Sequence, residues 1–125
     1  MSILGVGTDI VQMPRIDDIY KKFGDRFLHK NFHKLEIQEF ERLQENKKKS
    51  FLAKRFAGKE AVSKAFGTGI GKNISFKDIA IVNNEFGAPV VKIFSKTLPE
   101  IAAFNIHISL SDDYPVALAF VIISV

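Results

Sequence analysis

Apolar positions along the chain follow two periods, first of two residues and then of three to four, before the period of two returns. From residue 3 to 11 the alternation predicts a strand, with Leu4, Val6, Thr8 and Ile10 on one face and Ile3, Gly5, Gly7, Asp9 and Val11 on the other. Pro14 follows where a helix can begin without a backbone N–H. Ile16, Ile19, Tyr20, Phe23 and Phe27 recur at three- and four-residue spacings and predict an amphipathic helix over 17–29. Leu35, Ile37, Phe40 and Leu43 predict a shorter second helix, and the polar run "QENKKKS" with Lys47 to Lys49 reads as a solvated loop. Ser50 is placed as the N-cap of a third helix, 51–66, and Gly67 as its end.

Beyond Gly67 the period of two returns. "DIAIV" and "PVVKIF" flank "NNEFGA" as a hairpin, and "LPEIAAF" reads as a short helix. "NIHISLS", the turn "DDYP" and "VALAFVIISV" form a second hairpin whose last strand carries apolar residues on both faces, as in a strand buried on both sides. These elements predict one α+β domain over 1–125, an antiparallel sheet packed against helices, without repeats or linkers.

Composition narrows the class. The chain has 125 residues, 46% of them hydrophobic, enough for a globular core, and no apolar run approaches the length of a membrane span. The absence of cysteine excludes disulfides and thiolate metal sites, and the N-terminus reads as a strand rather than a signal peptide. A soluble cytoplasmic protein is expected, with no membrane association. The net charge of +4 favours an acidic or phosphorylated partner. Nucleic acid is the rival reading, but the twelve phenylalanines fall mostly at core spacings and no aromatic RNA-binding motif or recognition helix appears.

Two stretches carry candidate chemistry. Asp9 shares its strand face with Gly5 and Gly7, which mark either the close approach of another element or room for a ligand. The third glycine of a dinucleotide fingerprint is missing, since Ile10 stands there. In "RFAGKEAVSKAFGTGIG", Glu60 and Lys64 share a helix face, Arg55 lies near the start, Lys59 projects from an adjacent face, and Ala57, Gly58, Ala61 and Ala65 make the helix thin. A carboxylate, a lysine and a glycine-rich exit suit a metal–phosphate site, and Glu60 with Asp9 supplies the hard oxygen pair that Mg²⁺ favours. The polar face His107, Ser109 and Ser111 either lines a site or faces solvent, and no nucleophile elbow accompanies it.

The blocks "GVGTDIVQMPRI" and "FLAKRFAGKEAVSKAFGTGIG" together resemble the holo-acyl-carrier-protein synthases, small bacterial 4′-phosphopantetheinyl transferases, over essentially the whole chain. The resemblance implies transfer of 4′-phosphopantetheine from coenzyme A to a serine of apo-acyl carrier protein, with release of adenosine 3′,5′-bisphosphate. It implies that Asp9 and Glu60 bind Mg²⁺, that Lys64, Gly67, Thr68 and Gly69 belong to the phosphate-binding region, and that Arg55, Lys59 and neighbouring lysines hold the 3′-phosphate. Glu60 and Lys64 become the catalytic pair, Glu60 being preferred to Glu36 as the base. Arg15 and Arg26 match first-helix positions that meet the carrier protein, and the active form is a homotrimer with each site between protomers. Asp112 departs from the pattern, standing where the family usually has histidine after "SLS". Its carboxylate either meets coenzyme A or caps the turn before Tyr114.

Overall fold

The computed structural model describes residues 2–70, 74–94 and 103–125, with the side chains of 68–70 outside that description. The order is β1 (Ile3–Gln12), α1 (Met13–Phe23), α2 (Asp25–Asn31), α3 (Lys34–Arg42), α4 (Glu45–Ile70), a 3₁₀ turn (Phe76–Asp78), β2 (Ile79–Asn83), β3 (Pro89–Ile93), β4 (Asn105–Asp113) and β5 (Val116–Ser124). The α+β class holds, but the strands form two antiparallel groups: a three-stranded sheet in the order β1-β5-β4 and a separate β2-β3 hairpin. The expected helix at "LPEIAAF" falls largely outside the described residues.

Three boundaries differ from the sequence expectation. The helix expected over 17–29 is two helices, broken at Gly24 (φ 55°), whose N–H donates to Tyr20 O at 2.7 Å. Glycine alone enters that backbone region freely, while the apolar spacing runs through the break undisturbed and so conceals it. The run Lys47 to Lys49 is helical, because α4 starts at Glu45, not at a Ser50 cap. Lysine and glutamate are good helix formers, the run has no glycine or proline, and Lys48 pairs with Glu45 at 3.1 Å. Gly67 (φ 76°, ψ −164°) interrupts α4 where its end was expected, and helical backbone resumes to Ile70.

α4 is the axis of the molecule. Its N-terminal half packs with α1 to α3 around Met13, Ile16, Phe27, Phe32, Phe40, Phe51 and Leu52, which places these phenylalanines in the core. Its C-terminal half runs across the inner face of the three-stranded sheet, against Ala119, Val121 and Ile123. The glycines on β1 serve this contact. A Cβ on Gly5 would stand 1.9 Å from Ala65 O, and one on Gly7 2.0 Å from Ala61 O. On another side of the helix, a Cβ on Gly58 would stand 2.4 Å from Ile81 Cδ1. Gly5 and Gly7 thus mark close packing, not ligand space.

The outer sheet face corrects the reading of β5 as buried on both sides. Leu118 and Phe120 lie open there beside Leu4, Val6 and Ile10, with Thr8 opposite Phe120 in the register. The alternation reports apolar character on both faces; among the described residues, helix covers the inner face alone. On β4 the face with His107 and Ser109 also points outward, and His107 Nε2 meets Ser124 Oγ at 3.2 Å, a contact within the sheet.

α3 begins at a titratable cap. His33 Nδ1 accepts from Leu35 N at 3.1 Å, the His33 N–H donates to Glu36 Oε1 at 2.9 Å, and the imidazole stacks on Phe94. Burial lowers the His33 pKa; Glu36 and Asp78 oppose the shift, and Lys59 and Lys34 add to it. A base with a depressed folded pKa contributes stability that is complete above its unfolded pKa, near 6.5, and is lost as pH falls through the folded value. Melting temperature will therefore drop more steeply below pH 6.5 in the wild type than in His33→Asn, which keeps a cap but does not titrate. Parallel melting curves for the two proteins across pH 5 to 7.5 would overturn this assignment.

Candidate active site

The two candidate stretches meet where β1 passes under α4. Asp9, two residues beyond Gly7 on the glycine face of β1, reaches the helix one turn beyond Glu60: Lys64 Nζ donates to Asp9 Oδ1 at 2.9 Å and to Thr8 O at 3.1 Å. This hydrogen bond raises the Lys64 pKa. Burial and the Asp9 carboxylate push the Glu60 carboxyl above its ordinary range, with Lys64 and Arg15 pulling the other way. Asp9, Glu60, Lys64 and Arg15 thus form one electrostatic cluster, although Arg15 leaves α1 and the others lie on β1 and α4.

The two hard oxygen donors Asp9 and Glu60, with an exposed lysine lying against one of them, fit Mg²⁺, which takes one or two carboxylates and completes its shell with water and phosphate oxygens. Among the described residues no group of three or more histidine or acidic side chains is placed to hold a metal ion.

A cleft of about 350 Å³ opens on a different side of α4, lined by Glu39, Lys47, Ser50, Lys54, Arg55 and Asn83 among others. Arg55 is 5% exposed, lies against the Phe51 ring and donates from Nη2 to Asn83 Oδ1 at 3.1 Å, while its buried Nε has no partner. Burial lowers its pKa, yet guanidinium stays charged. Arg55 lends the cleft a fixed positive charge that suits an anion, while its Nε itself stays sealed from the cleft. Asp112 stands at the rim, paired with Lys54 at 3.0 Å and accepting from Ser50 Oγ at 3.3 Å. It reaches across to α4, so the reading of Asp112 as a cap for the turn before Tyr114 is set aside.

Lys59 requires correction. It is fully buried, and its ammonium donates to Glu36 Oε1 at 2.5 Å, to Phe76 O at 3.0 Å and to Ile79 O. All three donors are used inside the protein, so Lys59 cannot hold a cofactor phosphate. Glu36, buried and committed to this lysine and to Ile81 N, cannot act as a base. Arg26 lies on α2, beyond the Gly24 break, and edges the Phe23 ring beside an apolar groove with Ile19 and Phe27. Arg15 and Arg26 are thus both exposed but on separate helices. Gly67 is exposed at the interruption of α4, and the side chain of Thr68, with any contact of Gly69, lies outside the described residues. The sequence reading missed Lys54, Ser50, Asn83 and Glu39; only Ser50 carried a local signal, and it pointed to capping.

Comparison with known proteins defines the class. Residues 5–119 match the family model of the 4′-phosphopantetheinyl transferase superfamily, and the chain belongs to that superfamily. Within it, the chain is 43% identical to the holo-[acyl-carrier-protein] synthase of Orientia tsutsugamushi, over 98% of this chain and 97% of that protein. The crystal structure of holo-[acyl-carrier-protein] synthase from Neisseria meningitidis superimposes with a TM-score of 0.87 at 38% identity, covering 99% of this chain and 100% of that one. The Helicobacter pylori synthase, solved in complex with coenzyme A, gives 0.81 at 36% identity, covering 95% and 99%. The protein is an enzyme of this holo-[acyl-carrier-protein] synthase group.

Proposed function

We propose that the protein transfers 4′-phosphopantetheine from coenzyme A to a serine hydroxyl of apo-acyl carrier protein, with Mg²⁺, leaving adenosine 3′,5′-bisphosphate. The observation that carries this reading is the convergence of Asp9, Glu60 and Lys64 from two distant stretches into one charged cluster. The Helicobacter pylori relative bound to coenzyme A supports the choice of donor.

Asp9 and Glu60 would hold the metal. When bound, Mg²⁺ neutralises pyrophosphate charge and polarises the phosphorus under attack. Lys64, freed from Asp9, turns its ammonium to a phosphate oxygen and stabilises charge there in the transition state. Glu60 is the base proposed to take the proton from the serine hydroxyl. The serine oxygen bonds to the phosphorus that bears pantetheine, and the bond from that phosphorus to the bridging pyrophosphate oxygen breaks. The departing bisphosphate carries away that electron pair. Catalysis is then mostly positioning and charge neutralisation.

Arg55, with Lys47 and Lys54 in the same cleft, would receive the 3′-phosphate. Gly67, Thr68 and Gly69 would border the pyrophosphate. Arg26, beside the exposed Phe23, and Arg15 on α1 would offer positive charge to an acidic carrier protein. The open sheet face with Leu118 and Phe120 suits a homotrimer interface. Asp9 and Glu60 lie on one side of α4 and the Arg55 cleft on another, which favours sites shared between protomers. A cytoplasmic location goes with these substrates, and among the described residues no helix is long and apolar enough to cross a membrane.

The test is incubation with coenzyme A, Mg²⁺ and an apo-carrier protein, read by mass spectrometry. Addition of the phosphopantetheine mass to the carrier is expected, and an unmodified carrier would overturn the reading. Asp112→His probes the cleft. Removing a carboxylate near the expected phosphate, and releasing Lys54 to it, should tighten coenzyme A by about fivefold, near 1 kcal/mol for a partly exposed contact. Titration calorimetry measures this. Unchanged affinity with a lowered melting temperature would mean that Asp112 only ties β4 to α4.

A further inference from the structure

The buried Glu36–Lys59 pair has no part in the chemistry, yet it lies one residue from Glu60. Both side chains are essentially inaccessible, at 1% and 0% exposure. A buried ion pair commonly adds little net stability, because desolvation offsets its attraction. Its use here must be sought in direction.

Toward β1, α4 meets a smooth surface. There it presents the backbone of Ala61 and Ala65 to Gly5 and Gly7, and toward β2 it presents Gly58 to Ile81. The β1 contact brings helix and strand close with no strand side chain between them, so resistance to a small roll of the helix about its axis comes from its other faces, where Val62 and Phe66 pack in the core. Lys59 adds direction to that resistance. Its ammonium is fixed by three acceptors from three elements, the Glu36 carboxylate on α3, the Phe76 carbonyl in the 3₁₀ turn and the Ile79 carbonyl at the start of β2. Glu36 is fixed in turn, its Oε1 accepting from His33 N and its Oε2 from Ile81 N at 3.1 Å. One turn earlier on the same face, Arg55 bonds Asn83 at the far end of β2, and Asn83 Nδ2 approaches Glu39 Oε1 at 3.4 Å. Two polar rungs therefore join α3, β2 and α4, and a roll of α4 would stretch both.

We propose that Glu36 and Lys59 are positioning residues that set the roll of α4, and through it the orientation of Glu60 and Lys64 toward Asp9. This inference rests on the proposed reaction. Because Lys59 and Glu60 are about 100° apart around the helix, a rotation that relaxes one swings the other across the face of β1.

The test uses the full-length protein and two variants. Glu36→Gln with Lys59→Met removes both charges and keeps an acceptor for Ile81 N. Glu36→Asp keeps both charges but shortens the link by one methylene. Both variants are expected to lose at least tenfold in kcat, with KM for the carrier protein within about twofold of wild type. In the metal-free protein, added Mg²⁺ should raise the melting temperature by less than half the wild-type shift. A merely structural pair would lower the melting temperature but leave the Mg²⁺ shift and the kcat of the folded fraction intact, and that result overturns the proposal. If the double variant does not fold, Glu36→Asp decides by the same two readouts. Wild-type transfer in the same assay separates failure of this proposal from failure of the assigned reaction.

Discussion

Glu60→Gln and Asp9→Asn will each lower turnover by about 10²–10³-fold, the cost of removing one preorganised electrostatic group from a phosphoryl-transfer site. Glu60→Gln should also separate function from stability. A carboxyl whose folded pKa lies above its unfolded value favours folding most below the unfolded pKa, and that contribution is lost as pH rises through the folded value. Burial and Asp9 raise the Glu60 pKa, so near neutral pH its charge is a burden on the metal-free fold. Glu60→Gln should therefore melt higher than wild type in chelator at pH 7.5, and the difference should close as pH approaches 4.5. Added Mg²⁺ should raise the wild-type melting temperature and leave that of Glu60→Gln nearly unchanged. Near-normal turnover in both variants, or an equal Mg²⁺ shift in Glu60→Gln, would refute the metal assignment.

Gly7→Ala is expected to damage the protein more than its single methyl group suggests. The added Cβ would lie 2.0 Å from Ala61 O and 2.8 Å from Ala65 N. These are backbone atoms of a helix, which cannot turn aside as a side-chain end can, so β1 and α4 must separate. Overpacking of this kind costs about 1–3 kcal/mol. At the upper end of that range, melting should fall by about 10 °C for a domain of this size. Turnover of the remaining folded protein should fall too, since Asp9 follows two residues later on the same face and must reach Lys64 across the widened gap. A melting temperature within about 2 °C of wild type would show that the helix accommodates the methyl group and that the close approach is not required.

Much of the molecule is legible along the chain. The strand period of residues 3–11, the two later hairpins and the position of the interruption at Gly67 all follow from local pattern, because alternation and glycine act within a few residues. The pairing of Asp9 with Glu60 was legible from residue type and from the resemblance, whereas the glycines beside Asp9 left open whether another element or a ligand approaches them. Other boundaries were not. The break at Gly24 leaves no trace in a hydrophobic spacing that continues through it, and the helical state of Lys47 to Lys49 depends on a start at Glu45 that no strong capping residue marks.

The sequence by itself determined the elements, the small-residue contact faces and the charged groups available to a site, since each depends on residue type and short-range spacing. Only the tertiary structure decided which charges are free to act. Lys59 and Lys64 look alike in sequence, five residues apart on one helix. One points between α3 and β2, where three acceptors consume its ammonium, and the other lies exposed beside Asp9. That difference comes from partners 17 to 56 residues away in the chain, whose approach is set by the packing of whole elements. Burial likewise turned Glu36 from a candidate base into half of a closed ion pair, and brought Asp112 to Lys54, because desolvation and hydrogen-bond geometry depend on the three-dimensional neighbours of a group and not on its neighbours in sequence.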